Sequence, residues 1–177
     1  LNLCVRNLQN ISHINKINNK HNLLLEVSLA AKYEGDSITR YHGKHQGTNP
    51  DSKICTELAR SFADIGDIVR GKDLYLGDNR KDREQKVKLE NNLKTIFRNI
   101  QENNQSKLGR LSLDQVREYW WEENRETVWK AITCNAGGGK YFRQTVCSEG
   151  TTPTNEKCQC INFSVPTYFD YVPQYLR

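Results

Sequence analysis

Four stretches of the chain repeat apolar residues at helical spacing, and the richest of them is residues 112–134. On a helical wheel of about 100° per residue, its apolar side chains share an arc of roughly 160°. The members of that arc are Leu113, Val116, Trp120, Trp121, Val128, Ala131 and Ile132. Ser112 followed by Gln115 has the form of a capping box, so we expect the helix to begin there and to end before the glycines at 137–139.

This tryptophan-rich helix carries both large aromatic and polar residues on its apolar arc. Two neighbouring tryptophans on one face need a deep slot between other helices. Arg117 and Asn124 fall on the same arc, so both need buried hydrogen-bond partners. We interpret the segment as a core helix; the alternative is an aromatic box that binds a ligand.

The other three helical stretches lie N-terminal to it. Residues 54–69 repeat Ile54, Leu58, Phe62, Ile65 and Val69, and residues 81–103 repeat Leu89, Leu93, Ile96, Phe97 and Ile100. Residues 23–31 are dense enough in apolar side chains for a buried helix. A weaker helical pattern of Leu3, Leu8, Ile11 and Ile14 precedes them, and an Asn- and Lys-rich interruption at 15–22 separates the two.

The remaining segments predict loops. Residues 35–52 are polar and contain Gly43, Gly47 and Pro50, which is typical of a flexible loop. The chain is irregular again after Cys134, until an aromatic segment between Pro166 and Pro173 that we expect to open another helix. The pattern as a whole predicts an all-α bundle with long irregular loops along a flank tied by disulfides.

Charge changes this picture only mildly. The chain of 177 residues has 26 Lys and Arg against 21 Asp and Glu, a net charge of +5. Positions 1–110 hold 19 basic and 13 acidic residues, whereas positions 111–177 hold 7 and 8. The excess favours contact with a polyanion through the N-terminal two thirds.

Six cysteines indicate disulfides and an oxidising location: Cys4, Cys55, Cys134, Cys147, Cys158 and Cys160. Zinc is the alternative, but no Cys-x-x-Cys is present, and Cys158 and Cys160 are poorly spaced for chelation. The chain has neither a signal peptide nor a run of about 18 apolar residues. We therefore expect a piece of a longer, extracellular protein.

Candidate chemistry is sparse. His42 and His45 lie three apart in a glycine-rich stretch, and the triglycine before Lys140 lacks the spacing of a phosphate-binding loop. Asn10, Asn104 and Asn162 fit the glycosylation pattern, which an Asn-rich chain also produces by chance. No nucleophile or metal-ligand constellation is apparent. We therefore expect no enzyme, no cofactor and no nucleic-acid partner.

A stripe of basic residues is more informative. On the helix over 81–103, extended back one turn, Arg80, Arg83, Lys94 and Arg98 fall within roughly 60° of each other, away from the apolar face. Long cationic side chains at this spacing can follow the sulfates of a glycosaminoglycan. The alternative is an ordinary solvated face, which Glu84, Glu90 and Glu102 partly neutralise.

Four longer sequence segments resemble those of one protein family. They are ARSFADIGDIVRGKDLY at 59–75, REYWW at 117–121, VWKAITC at 128–134 and TYFDYVPQYLR at 167–177. The chain resembles, through nearly its whole length, the Duffy-binding-like alpha domain of Plasmodium falciparum erythrocyte membrane protein 1. The resemblance implies the end of a first subdomain and its linking loop over residues 1–50, and the helical bundle of a second subdomain over residues 51–177.

The resemblance also implies an adhesion function. Similar domains are variant surface antigens, exported to the outer face of the infected erythrocyte membrane, that mediate rosetting and cytoadherence. Their ligands on host red cells include heparan sulfate, complement receptor 1 and blood-group sugars, and the basic stripe fits the first of these. The alternative is a structural spacer in the adhesin head, whose neighbouring domains do the binding.

Finally, the resemblance suggests how the framework is joined. Related domains imply a bridge between Cys55 and Cys134, with Cys4 paired upstream of this chain. We expect Asp64 or Asp67 to supply the acid that Arg117 needs. Ligand choice would then lie in the loops at 35–52 and 135–162 and in the basic stripe.

Overall fold

The described part of the chain contains five α-helices. A computed structural model describes residues 17, 19–48, 53–139, 141 and 145–177, with only the backbone at positions 45, 46 and 48. The helices are α1 (Lys20–Thr48), α2 (Ile54–Arg70), α3 (Arg80–Glu102), the single turn α4 (Gln105–Leu108) and α5 (Leu113–Ile132). Two 3-10 turns, Phe169–Tyr171 and Gln174–Leu176, follow a segment that contains two isolated β-bridges. The prediction of a disulfide-tied, all-α bundle is confirmed.

Helix α5 is the central element, because it packs against α1, α2 and α3. It begins with the predicted capping box: the Ser112 hydroxyl accepts from the Gln115 amide at 3.2 Å, and the Gln115 side chain accepts from the Ser112 amide at 2.9 Å. Trp120 and Trp121 are buried as expected. Trp129, which the predicted arc leaves out, is buried as well. The buried face of α5 is therefore wider than its apolar pattern indicates.

The α2–α5 contact is built from aromatic rings. Phe62 lies between Trp121 and Trp129, with both centroid distances at 5.2 Å. Helix α2 ends at Arg70, and the next residue, Gly71, has a positive φ of 75°, the left-handed cap that glycine adopts without steric cost. The chain can therefore turn sharply beneath α5 and enter α3.

Helix α1 is longer than predicted. We expected residues 35–52 to form a flexible loop, and this is wrong for positions 35–48, which continue the helix; positions 49–52 lie outside the described residues. Gly35 does not break the helix but lets it cross α5 closely, since a Cβ there would come within 1.9 Å of the Ile132 carbonyl oxygen. At the preceding residue, Glu34 accepts from the buried Ser61 hydroxyl of α2 at 3.0 Å.

The last segment, residues 166–177, is called the tail. We expected it to open another helix, and this is wrong, because the tail forms no α-helix. It lies instead across α2 and α5 as two 3-10 turns. Pro166 and Pro173 bracket the first of these turns, and a proline removes an amide donor that a continuous helix would need. The buried carboxylate of Asp170 accepts from the Trp121 indole at 2.9 Å, which anchors the segment to α5.

Candidate binding surface

The basic stripe lies on the solvent side of α3. The Asn79 side chain caps the helix by accepting from the Asp82 amide at 3.0 Å. The apolar face turns inward, and its buried members are Leu89, Leu93, Ile96, Phe97 and Ile100. Arg80, Arg83, Lys94 and Arg98 are all exposed on the opposite side. From Arg80 to Arg98 the stripe runs about 27 Å along the helix axis, at 1.5 Å per residue.

Acidic neighbours divide this stripe into paired and unpaired cations. Arg80 Nε lies 2.8 Å from Glu84, and Lys94 Nζ lies 3.7 Å from Glu90. Within the described ranges, no acidic side chain lies within ion-pair distance of Arg83 or Arg98. Exposed pairs such as that of Arg80 contribute little to stability, so a stronger anion can displace their carboxylates.

Behind the stripe, Glu90 binds Arg117. We expected Asp64 or Asp67 to pair with Arg117, and this is wrong: its Nη1 and Nη2 donate to Glu90 at 2.8 and 3.0 Å. Its Nε and Nη2 also donate to the carbonyls of Val69 and Ile68, at 2.7 and 3.0 Å. Arg117 therefore caps the C-terminus of α2, where a positive charge is favoured, and α3 supplies the nearest carboxylate.

Asp64 and Asp67 are instead occupied by the end of the chain. Arg177 pairs with Asp64 at 3.2 Å and also with Asp67, which in turn accepts from Arg70 at 3.0 Å. Burial raises the pKa of Asp64, against the opposing effect of Arg177, and burial lowers the pKa of Arg177. These acids thus hold the tail against α2 and are not available as an exposed ligand site.

The disulfides differ from the pairing that the resemblance implied. Cys55 is bonded to Cys158, so the implied bridge to Cys134 is wrong, and Cys134 is an exposed free thiol. The reason lies in the turn after α5, where Thr133 is buried and Cys134 is exposed, whereas Gly139 of the following segment lies next to Cys55. The bridge Cys147–Cys160 lies in the irregular flank, the segment without helices over residues 145–162. Cys4 lies outside the described residues.

The histidine pair, the triglycine segment and the glycosylation patterns form no evident site in the described residues. His42 lies near the end of α1, and the side chain of His45 is outside the described residues, as are Lys140 and Asn10. Asn104 donates to the Ile100 carbonyl at the end of α3, and Asn162 accepts from the Ser164 amide in a turn. In the part of the chain that the structure describes, no cluster of three His, Cys, Asp or Glu side chains could hold a metal ion.

Periodicity missed a second polar cluster, between α5 and the tail. Arg125 donates through Nε and Nη2 to the two Asp170 oxygens, both at 2.8 Å. Its guanidinium lies 5.3 Å from the ring centroids of both Tyr168 and Tyr171. One signal could have revealed it: Arg117, Trp121 and Arg125 follow each other at intervals of four, so Arg125 shares their helix face.

The hydrophobicity of the helices can be compared with what a membrane-spanning helix requires. Of the helices in the described ranges, none is both long enough and apolar enough to cross a bilayer.

Comparison with known proteins places these features in a family context. A family model, the Duffy binding domain, matches residues 1–177. Among curated proteins, the chain is 25% identical over 138 residues to the Duffy receptor beta form of Plasmodium knowlesi. That match covers 73% of this chain and 10% of the receptor.

Solved structures match more closely. The NTS-DBL1(alpha-1) domain of Plasmodium falciparum membrane protein 1 (PfEMP1) from the varO strain has a TM-score of 0.73 and 38% identity. The match covers 98% of this chain and 39% of that one. A PfEMP1 DBLbeta domain bound to ICAM-1 has a TM-score of 0.64 and 30% identity, over 96% of this chain and 39% of that one. The chain thus spans well under half the length of these relatives.

Proposed function

Because this chain belongs to the Duffy binding domain family, we propose that it is a cell-adhesion domain whose α3 stripe binds sulfated glycans on host red cells. The family is one of adhesion domains, and a structural relative is described in complex with the host protein ICAM-1. Heparan sulfate, a linear chain that carries many sulfates along its length, is the ligand that the stripe fits best.

The observation that carries this proposal is the exposure of the four cations on one helix face. They are Arg80, Arg83, Lys94 and Arg98, two near each end of α3. The two pairs are separated by about 20 Å along the helix axis, so one sulfate group cannot contact both. The ligand is therefore an extended polyanion that lies along α3, and longer chains bind more tightly because they engage both pairs at once.

Arg83 and Arg98 supply most of the binding energy in this proposal. In the described part of the chain neither side chain has an acid to exchange, so binding removes no existing ion pair. A guanidinium can also donate two parallel hydrogen bonds to a sulfate, which an ammonium group cannot do. Arg80 and Lys94 contribute after they leave Glu84 and Glu90, and Glu90 stays bound to Arg117.

The cellular setting follows from the same family. We propose that the domain is displayed on the outer face of the infected erythrocyte as part of a variant antigen, and that it takes part in rosetting. The Plasmodium relatives support an extracellular adhesin. Complement receptor 1 and blood-group sugars are further ligands in this proposal, with contacts in the irregular flank rather than on α3.

Retention on a heparin column tests the glycan site. The double variant Arg83→Ala/Arg98→Ala should elute at clearly lower salt than the original chain, because two unpaired cations are lost. The matched control is Lys32→Ala/Arg60→Ala, which removes the same charge from exposed positions on α1 and α2. If both double variants elute together, net charge alone explains retention and the stripe is not the site.

The spacer function predicts a different result. A folded chain that fails to bind heparin and intact erythrocytes at physiological salt would show that neighbouring domains do the binding. Circular dichroism should first establish that each variant keeps the helical content of the original chain, since an unfolded basic chain also binds heparin.

A further inference from the structure

The outer face of α5 carries exposed aromatic residues next to acidic ones, on a different surface from the α3 stripe. Tyr119 is 56% exposed, and the tail places Tyr168 and Tyr171 beside the same helix at 71% and 45% exposed. Phe163, 54% exposed, lies at the other end, where Lys130 Nζ is 4.3 Å from its ring centroid. Aromatic rings that are exposed but held in place are typical of protein-binding surfaces.

The two tail tyrosines are fixed before any ligand arrives. Arg125 stacks against both rings, and both oxygens of the buried Asp170 hold its guanidinium. Arg125 also donates to the Thr167 carbonyl at 2.7 Å, so the backbone before Tyr168 is held as well. A partner that contacts these rings therefore loses little conformational entropy in ordering them.

The outer face of α5 carries an unpaired negative charge. Its cations are already neutralised, since Arg125 pairs with Asp170 at 2.8 Å and Lys130 pairs with Glu126 at 2.9 Å. Glu122 is exposed on the same helix face, and no residue in the described ranges forms an ion pair with it. A partner that complements this face must therefore bring positive charge together with apolar area.

We propose that the outer face of α5, with Tyr119, Glu122 and Tyr168 at its centre, is a docking surface for a protein segment rich in Arg or Lys and apolar residues. A partner guanidinium stacks on the open side of the Tyr168 ring, as Arg125 does on the covered side, and Glu122 supplies the carboxylate. This surface is independent of the glycan proposal, because its charge is opposite to that of α3.

A designed peptide tests the surface directly. The probe is a fluorescent twelve-residue peptide of Arg, Leu and Ser, and the comparison peptide has Glu at every Arg position. Fluorescence anisotropy with the whole chain should show saturable binding of the Arg peptide alone. Tyr168→Ala should weaken its binding by about fivefold or more, and Glu122→Gln should weaken it by about threefold at low salt.

Matched variants exclude general effects. Tyr33→Ala removes a ring that is 53% exposed from α1, and Glu102→Gln removes an exposed carboxylate from α3. Neither should change affinity for the Arg peptide. Equal binding of the Glu peptide, or an unchanged affinity in Tyr168→Ala, would overturn the proposal. A dimer that forms with rising concentration in analytical ultracentrifugation, and that either Glu122→Lys or Arg83→Glu abolishes, would also overturn the proposal. The partner of this face would then be the α3 stripe of a second copy of the chain.

Discussion

Trp121 of α5 lies directly on Gly66 of α2. A Cβ added at Gly66 would come within 2.7 Å of the Trp121 ring, closer than real side chains approach each other. The slot that a large aromatic requires is thus provided by the absence of a side chain on the facing helix. This contact explains why a glycine is found in the interior of α2, where it otherwise costs about 1 kcal/mol relative to alanine.

Replacing Gly66 by alanine should destabilise the chain despite the better helix propensity of alanine. The added methyl group overlaps the indole ring, and overpacking of this kind costs about 1–3 kcal/mol. The matched change is Gly43→Ala in α1, where a Cβ would meet nothing within 4 Å. That variant should gain about 0.5–1 kcal/mol from propensity alone. Urea unfolding followed by tryptophan fluorescence measures both, and equal effects would contradict the packing explanation.

Arg117 should be far more important for stability than the exposed arginines. Replacing it by Ala removes the cap of α2 and the only bidentate partner that Glu90 has in the described ranges, which should cost about 3 kcal/mol. Arg117→Lys should recover little of this loss, because an ammonium group cannot reproduce the fork of hydrogen bonds.

The control for this prediction is Arg80→Ala. Its side chain is 93% exposed and its pair with Glu84 is solvated, so the free energy of unfolding should change by less than about 0.5 kcal/mol. Chemical denaturation of the three variants under identical salt compares them. A similar loss in Arg80→Ala and Arg117→Ala would show that burial does not determine the contribution of these charges.

These cases separate what the sequence can predict from what it cannot. Helical periodicity located α2, α3 and α5, since their buried faces alternate with polar ones every three to four residues. It failed at Gly35, because a glycine that ends a helix and a glycine that permits a close helix crossing look alike without the partner helix. It also failed for Arg117, since several carboxylates are compatible with its helix face and only the fold brings Glu90 nearest.

The binding surface shows the same division. The phase of α3 predicts which cations share a face, and all four are exposed there. The pairing of Arg80 with Glu84 and of Lys94 with Glu90 depends on side-chain conformation, which spacing alone does not determine. The Arg125–Asp170 cluster joins residues 45 apart in sequence, so helical spacing can place Arg125 on the inner face but cannot identify Asp170 as its partner.

Loss of the Cys55–Cys158 bridge should destabilise the chain more than loss of Cys147–Cys160. The first joins residues 103 apart and the second residues 13 apart, and a longer loop restricts the unfolded chain more. We expect losses of roughly 4–5 and about 3 kcal/mol for Cys55→Ser/Cys158→Ser and Cys147→Ser/Cys160→Ser. Double variants avoid new free thiols that could pair with Cys134.

Cys134→Ser serves as the control and should leave the free energy of unfolding unchanged. Alkylation of the folded, unreduced chain should label Cys134, and peptide mass spectrometry should recover Cys55 linked to Cys158. Recovery of a peptide that links Cys55 to Cys134 would contradict this connectivity and restore the pairing that the family resemblance implied.

The tail contact should weaken as its buried acid ionises. Burial raises the pKa of Asp64 above its ordinary value of 3.8, so between that value and the raised one the folded chain holds a proton that the unfolded chain has released. Stability from this group therefore falls as pH rises through that window.

Asp64→Asn cannot ionise and keeps a polar group beside Arg177, whose second partner Asp67 remains. Relative to the original chain, this variant should gain stability as pH rises through that window and show no further gain above it. Urea unfolding of both chains across that range isolates the effect of Asp64, because the other titrating groups cancel in the difference. A difference that moves in the opposite direction would mean that attraction to Arg177 outweighs desolvation, and that the tail is held by an ion pair stronger than its burial cost.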